Sequence, residues 1–217
     1  MAKKYLVIFN NKYLNGWNLY SLITIPVSLA VVIAMTTVDL STPRGVSSMI
    51  QLSVRCSVPW LYLAFASSSL NILLQNQFSR WLLRNRRYIG ICFATAMGWQ
   101  LFFILWMLIG HWTYYIEEVY WFEDLVEQVP GYLFLIAMTL TSFQPGRSKL
   151  SPREWRFLHK VGIYFIFLVV WRTYWYELYY YDDIQFIDYI YYWTGLGAWS
   201  IRVLAWSKKR WLLRVRV

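Results

Sequence analysis

The chain has 217 residues, of which 59% are hydrophobic, 21% aromatic and only 15% charged. A soluble domain carries about 25% charged residues, so this composition excludes an ordinary water-soluble globule and points to lipid as solvent. The net charge of +10 does not imply nucleic acid, because the basic residues fall in short groups between apolar runs and no recognition motif accompanies them.

Residues 1–18 form a basic lead carrying Lys3, Lys4 and Lys12. No cleavable leader is expected, since the first apolar run begins near Leu19 and no small-residue cleavage site follows it. The first predicted span covers about 19–37 and contains Pro26, which a membrane helix tolerates. A loop with Asp39, Arg44 and Arg55 leads to a second span at about 57–76, where Ser67-Ser-Ser69 supplies small packing residues. A basic turn from Arg80 to Arg87, with four arginines, precedes the third span at about 88–109.

Residues 111–129 carry five acidic residues and no lysine or arginine. Their alternation of acids and aromatics predicts a short interfacial helix. The fourth span runs over about 130–144 from Pro130-Gly131, and a basic loop with Arg147, Lys149, Arg153 and Arg156 follows it. The fifth span covers about 159–177, and an acidic, aromatic loop holds Glu177, Asp182 and Asp183. The sixth span covers about 186–206, and residues 207–217 form a basic tail.

Every span must satisfy its own backbone in lipid, so the expected fold class is all-α: a polytopic six-transmembrane-helix bundle. The alternation of basic and acidic loops places both termini in the cytoplasm. Cys56 and Cys92 form no CxxC pair and no disulfide framework, and read as fillers of apolar gaps.

The chemistry concentrates at the start of the fifth span. His159 is one of only two histidines in the chain. It reads either as an interfacial histidine bonded within the protein or as an axial ligand to haem iron, for which neutral imidazole is the usual protein donor. The other histidine, His111, lies at the outer end of the third span and reads as a marker of the water interface. Arg172 lies inside the fifth span, where an unpaired arginine costs a few kcal/mol, and is expected to snorkel or pair with Glu177 or an acid of the third loop. Arg202 lies near the basic tail and needs less explanation. Trp112, Tyr114, Tyr115, Tyr120, Trp121 and the run Tyr174 to Tyr181 form an aromatic belt or a docking surface. No zinc-binding HExxH, phosphate-cradling glycine loop or nucleophile elbow is present.

The segments Leu140-Thr-Ser142 and Arg153-Glu-Trp155-Arg-Phe-Leu-His159-Lys-Val, with Arg86-Arg87-Tyr-Ile-Gly90-Ile before them, resemble motifs of the ferric-reductase-like transmembrane domain. Within it they are similar to the haem-binding membrane subunit of periplasmic methionine-sulfoxide reductase, the MsrQ family. The resemblance covers roughly residues 50–205 and implies a haem b site between parallel third and fifth helices. The chain departs from that pattern at two ligand positions. The histidine implied fourteen residues after Arg86 is Gln100, and the one implied thirteen residues after His159 is Arg172.

The resemblance places Gln100 and His159 at one depth. Pairing of buried polar groups then predicts a hydrogen bond between them, the alternative being a five-coordinate haem on His159. His111 lies about 16 Å along the helix from Gln100, near the depth of Arg172, where the two residues would make a rebuilt outer site. The implied function is a ferric-reductase-like subunit of a redox or energy-transducing complex in a bacterial inner membrane. In one form it has lost haem and serves a structural or assembly role; in the other it carries haem b and passes electrons from quinone or flavin to a periplasmic partner. The expected partners are the lipid bilayer and other membrane or periplasmic subunits, with no nucleic acid.

Overall fold

The computed structural model describes residue 9 and residues 11–119, 122–180 and 184–215. The described residues are helical, with no strand among them. The six longest helices are α1 (Gly16–Thr37), α2 (Pro43–Leu74), α3 (Gln77–Gly110), α4 (Phe122–Leu140), α5 (Pro152–Tyr179) and α6 (Phe186–Val215). Three of them, α1, α2 and α3, are long and apolar enough to cross a membrane, with 18-residue windows of mean hydropathy 2.1, 1.3 and 1.8. Residues Leu125–Leu140 of α4 form a shorter apolar helix.

Local chemistry sets the helix ends. Asp39 accepts hydrogen bonds from the backbone N–H and hydroxyl of Ser41, and Thr42 Oγ1 accepts from Gly45 N at 3.2 Å. A capping hydroxyl followed by a proline is a strong helix start, so α2 begins at Pro43. The expected first loop therefore shrinks, and Arg44 and Arg55 lie on the helix. The expected basic turn is also helical, because the chain reverses earlier. Gln75 takes a left-handed φ of 49°, and Asn76 Oδ1 accepts from Ser79 N at 2.8 Å to start α3. Arg80 to Arg87 thus occupy the first turns of α3.

The acidic segment is not one interfacial helix. It breaks at His111 into a short turn of helix (Trp112–Tyr114) and a π-helical stretch (Tyr115–Val119), and its last residues belong to α4. Pro130 lies inside α4 rather than at its start. Tyr120, Trp121, Tyr181, Asp182, Asp183, Lys3 and Lys4 lie outside the described residues.

The chain divides into two compact units. One comprises residues 1–20, 60–90 and 167–217. Its core is a stack of rings: Phe65 lies on Phe167 at 3.9 Å and 9°, and Trp199 lies 6.0 Å from Phe167. Phe65 and Phe167 are fully buried. Arg202 closes this stack, donating from Nη1 to the Phe65 carbonyl at 2.9 Å with its guanidinium 4.2 Å from the Phe65 ring. Arg86 Nε donates to the adjacent carbonyl of Ala64 at 3.1 Å. The Arg202 side chain is therefore part of the packing, beyond the interfacial role expected of it.

The other unit comprises residues 21–59 and 91–166. Val31, Val46, Met49, Phe103 and Met107 form its buried cluster, with Tyr114 and Tyr115 packed against it. Trp99 Nε1 donates to Ser28 Oγ at 3.1 Å, satisfying two polar groups in otherwise apolar helices. Both cysteines are free, and Cys92 is buried.

Candidate functional site

The start of α5 is built by a capping box. Glu154 N donates to Ser151 Oγ at 3.3 Å, and Ser151 N donates to Glu154 Oε2 at 2.8 Å. The Ser151 hydroxyl and then its backbone N–H hold the Glu154 carboxyl below the usual carboxylate range. Pro152 at the first helical position pre-sets φ, so Ser-Pro-x-Glu fixes where α5 begins. That start point decides which face Trp155 and His159, four residues apart, present together.

These two residues meet the end of α4. Trp155 Nε1 donates to the Thr141 carbonyl at 3.1 Å, and Thr141 Oγ1 lies 3.0 Å from His159 Nε2. The Trp155 and His159 rings lie 4.3 Å apart, tilted by 34°. The Arg147 guanidinium covers the other part of this cluster, 4.6 Å from the Trp155 ring. Thr141 thus holds both aromatic residues, one through its backbone and one through its hydroxyl. The two segments that carry the family resemblance, around Thr141 and around Trp155–His159, touch in the fold.

Gln100 has a different partner. Its Oε1 accepts from the Tyr132 hydroxyl at 2.8 Å. The hydrogen bond expected between Gln100 and His159 is replaced by two separate ones, Gln100 with Tyr132 and His159 with Thr141. The partner comes from α4, which brings a tyrosine to the amide. Tyr132 carries no motif signal; its depth relative to Gln100 depends on how α3 and α4 pack.

The other two candidates occupy different compact units, His111 in residues 91–166 and Arg172 in residues 167–217. His111 sits at the break after α3, its N–H bonded to the Met107 carbonyl at 2.8 Å and its carbonyl accepting from Tyr115 N at 2.9 Å. The Arg172 guanidinium lies 5.0 Å from the Tyr176 ring, one turn along α5.

On its α4 side the His159 ring is engaged by Thr141. Nε2 faces a hydroxyl at 3.0 Å. Gly162 lies one turn on, and a Cβ placed there would overlap Met138 Sδ and lie 3.2 Å from Phe134. The glycine serves helix contact, with the Met138 side chain occupying its notch. No group of three or more His, Cys, Asp or Glu able to hold a metal occurs among the described residues.

No family model, curated protein or solved structure matches the chain.

Proposed function

We propose that this chain is a six-span, ferric-reductase-like integral membrane subunit that has lost haem and serves a structural or assembly role in a redox or energy-transducing complex. The observation that carries this reading is His159. The nitrogen that would take an axial iron is engaged by Thr141. The polar positions at both departures from the haem pattern also have protein partners, Gln100 through Tyr132 and Arg172 through Tyr176.

The apolar length of α1, α2 and α3 supports the membrane assignment. In this reading α4, α5 and α6 also cross, completed by tyrosines and tryptophans that suit the lipid interface. Both termini face the cytoplasm and the acidic loops face outward, consistent with a bacterial inner membrane. The exposed rings Tyr179, Tyr180, Phe186 and Trp193 belong to the outer aromatic belt, available to lipid or to neighbouring subunits.

The competing reading is a haem b subunit passing electrons to a periplasmic partner, with His159 as ligand. It requires His159 Nε2 to exchange the Thr141 hydroxyl for iron. An absorption spectrum of the detergent-purified protein, oxidised and dithionite-reduced, with a pyridine haemochrome assay, separates the two. The haem-free reading expects a colourless, monodisperse protein that stays colourless after haem supplementation. A stoichiometric b-type signal that disappears in His159→Ala would overturn it.

A further inference from the structure

The segment before α1 is fastened to the first turns of α3 by side chains that leave a basic pocket between them. Trp81 Nε1 donates to the Leu14 carbonyl at 2.7 Å, and Asn85 Oδ1 accepts from Gly16 N at 2.9 Å. Asn85, itself buried, also donates to Asn15 Oδ1 at 2.9 Å. Arg84 grips the same oxygen through Nε at 3.1 Å and Nη2 at 2.8 Å, and Nη2 reaches the Phe9 carbonyl at 2.7 Å. Gly16 takes a left-handed φ of 66° and lies against the Tyr88 ring, a turn that a side chain would strain. Lys12, Asn15, Gly16, Arg84, Asn85 and Tyr88 line a cavity of about 370 Å³. That volume is within the range of small-molecule sites, which begin at about 300 Å³.

Asp39 is the only acidic residue in the first 116 of the chain. Lys12 contacts the Tyr13 ring, at 5.2 Å from its ammonium, and no carboxylate pairs with Lys12 or Arg84 among the described residues. Arg84 bonds protein through Nε and Nη2, which leaves the two N–H groups of Nη1 for a ligand. The Asn15 and Asn85 amides use their donors within the protein, so the two cations and the Tyr88 hydroxyl are the groups here that suit phosphate oxygens.

The surroundings point to a lipid as the source of that phosphate. Gly16, which lines the pocket, is the first residue of α1, whose most apolar 18-residue window has a mean hydropathy of 2.1. Trp17 and Tyr20 stand edge to face at 5.5 Å, and Trp17 packs on Tyr88 at 5.3 Å. Such aromatics mark the headgroup level of a bilayer, and basic pockets at that level bind anionic headgroups. We infer that this pocket holds the phosphodiester of an anionic phospholipid, with Lys12 and Arg84 as its charge partners. The inference rests on the membrane assignment above and is independent of haem.

Native mass spectrometry of the full chain in detergent, titrated with phosphatidylglycerol, phosphatidylcholine or inorganic phosphate, tests it. Lys12→Gln leaves the Arg84–Asn15 bonds in place and should lower phosphatidylglycerol retention about fivefold, the effect expected of one basic side chain near an anionic surface. Lys209→Gln, an exposed lysine outside the pocket, should leave retention unchanged. Equal retention of the two lipids, or equal losses in the two variants, would overturn the inference. Complete competition by millimolar inorganic phosphate would assign the pocket to free phosphate instead and overturn the lipid assignment. A protein that needs detergent for extraction yet shows no headgroup preference removes this inference alone. Release from membranes without detergent would remove the membrane assignment beneath it.

Discussion

Two regions of this molecule hold helices together by different means. In the unit that includes residues 167–217, Phe65, Phe167 and Trp199 stack as rings, with Arg202 laid over Phe65. In the unit that includes residues 91–166, the α4–α5 junction is fastened by one hydrogen bond from Trp155 to the Thr141 carbonyl and one between the Thr141 hydroxyl and His159. The stack gains from area and dispersion, which sum over many atoms and depend little on one angle. The junction gains from direction. Each of its bonds contributes only about 1 kcal/mol net, but each fixes which way a ring faces.

This contrast predicts a graded set of losses. Phe167→Ala removes the central ring of the stack and should cost the most, about 3–5 kcal/mol as for other buried aromatic truncations. Thermal unfolding in detergent, followed by near-ultraviolet circular dichroism, would show it as a large drop in midpoint. An unchanged midpoint would mean that the stack contributes little.

Thr141→Val keeps the shape of the side chain, removes the hydroxyl and should cost about 1 kcal/mol. Its clearer signature is at His159, whose imidazole nitrogen resonances should move when the 3.0 Å contact at Nε2 is lost. Unmoved resonances would remove Thr141 as the group that orients the ring. If haem binding were blocked only by this hydroxyl, the same variant would also acquire a b-type spectrum.

The smallest effect belongs to the capping box. The Glu154 carboxyl is depressed in the folded chain, so its stabilising contribution is fully present above the unfolded carboxyl pKa of about 4.3. It fades as pH falls through the lower folded value. The stability difference between the native chain and Glu154→Gln, followed by denaturation between pH 7 and pH 3, should therefore shrink at the acidic end. A difference that grows on acidification would contradict the Ser151 contacts as its cause.

The α5 start differs from the expectation, since Arg153 and Arg156, expected in a loop, lie on a helix that begins at Pro152, although the signals that set it are local. Ser151, Pro152 and Glu154 lie within one turn, and a capping box depends on little beyond that turn. The contact of Thr141 with His159 was not readable, since His159 was expected to bond Gln100. The Gln100 partner was not readable. Tyr132 sits on another helix, and its height against Gln100 follows from how the two helices pack.

The sequence by itself determined an apolar, aromatic, all-helical chain, because composition and the period of hydrophobic runs act residue by residue. It also marked His159, Gln100 and Arg172 as unusual, since a polar group in an apolar run is visible without coordinates. Tertiary structure alone decided what each of them bonds to. It set Thr141 against His159, Met138 into the Gly162 notch, and Lys12 and Arg84 around one cavity. Those outcomes depend on where helices begin and how far each side chain reaches from its neighbour, distances that no local pattern encodes.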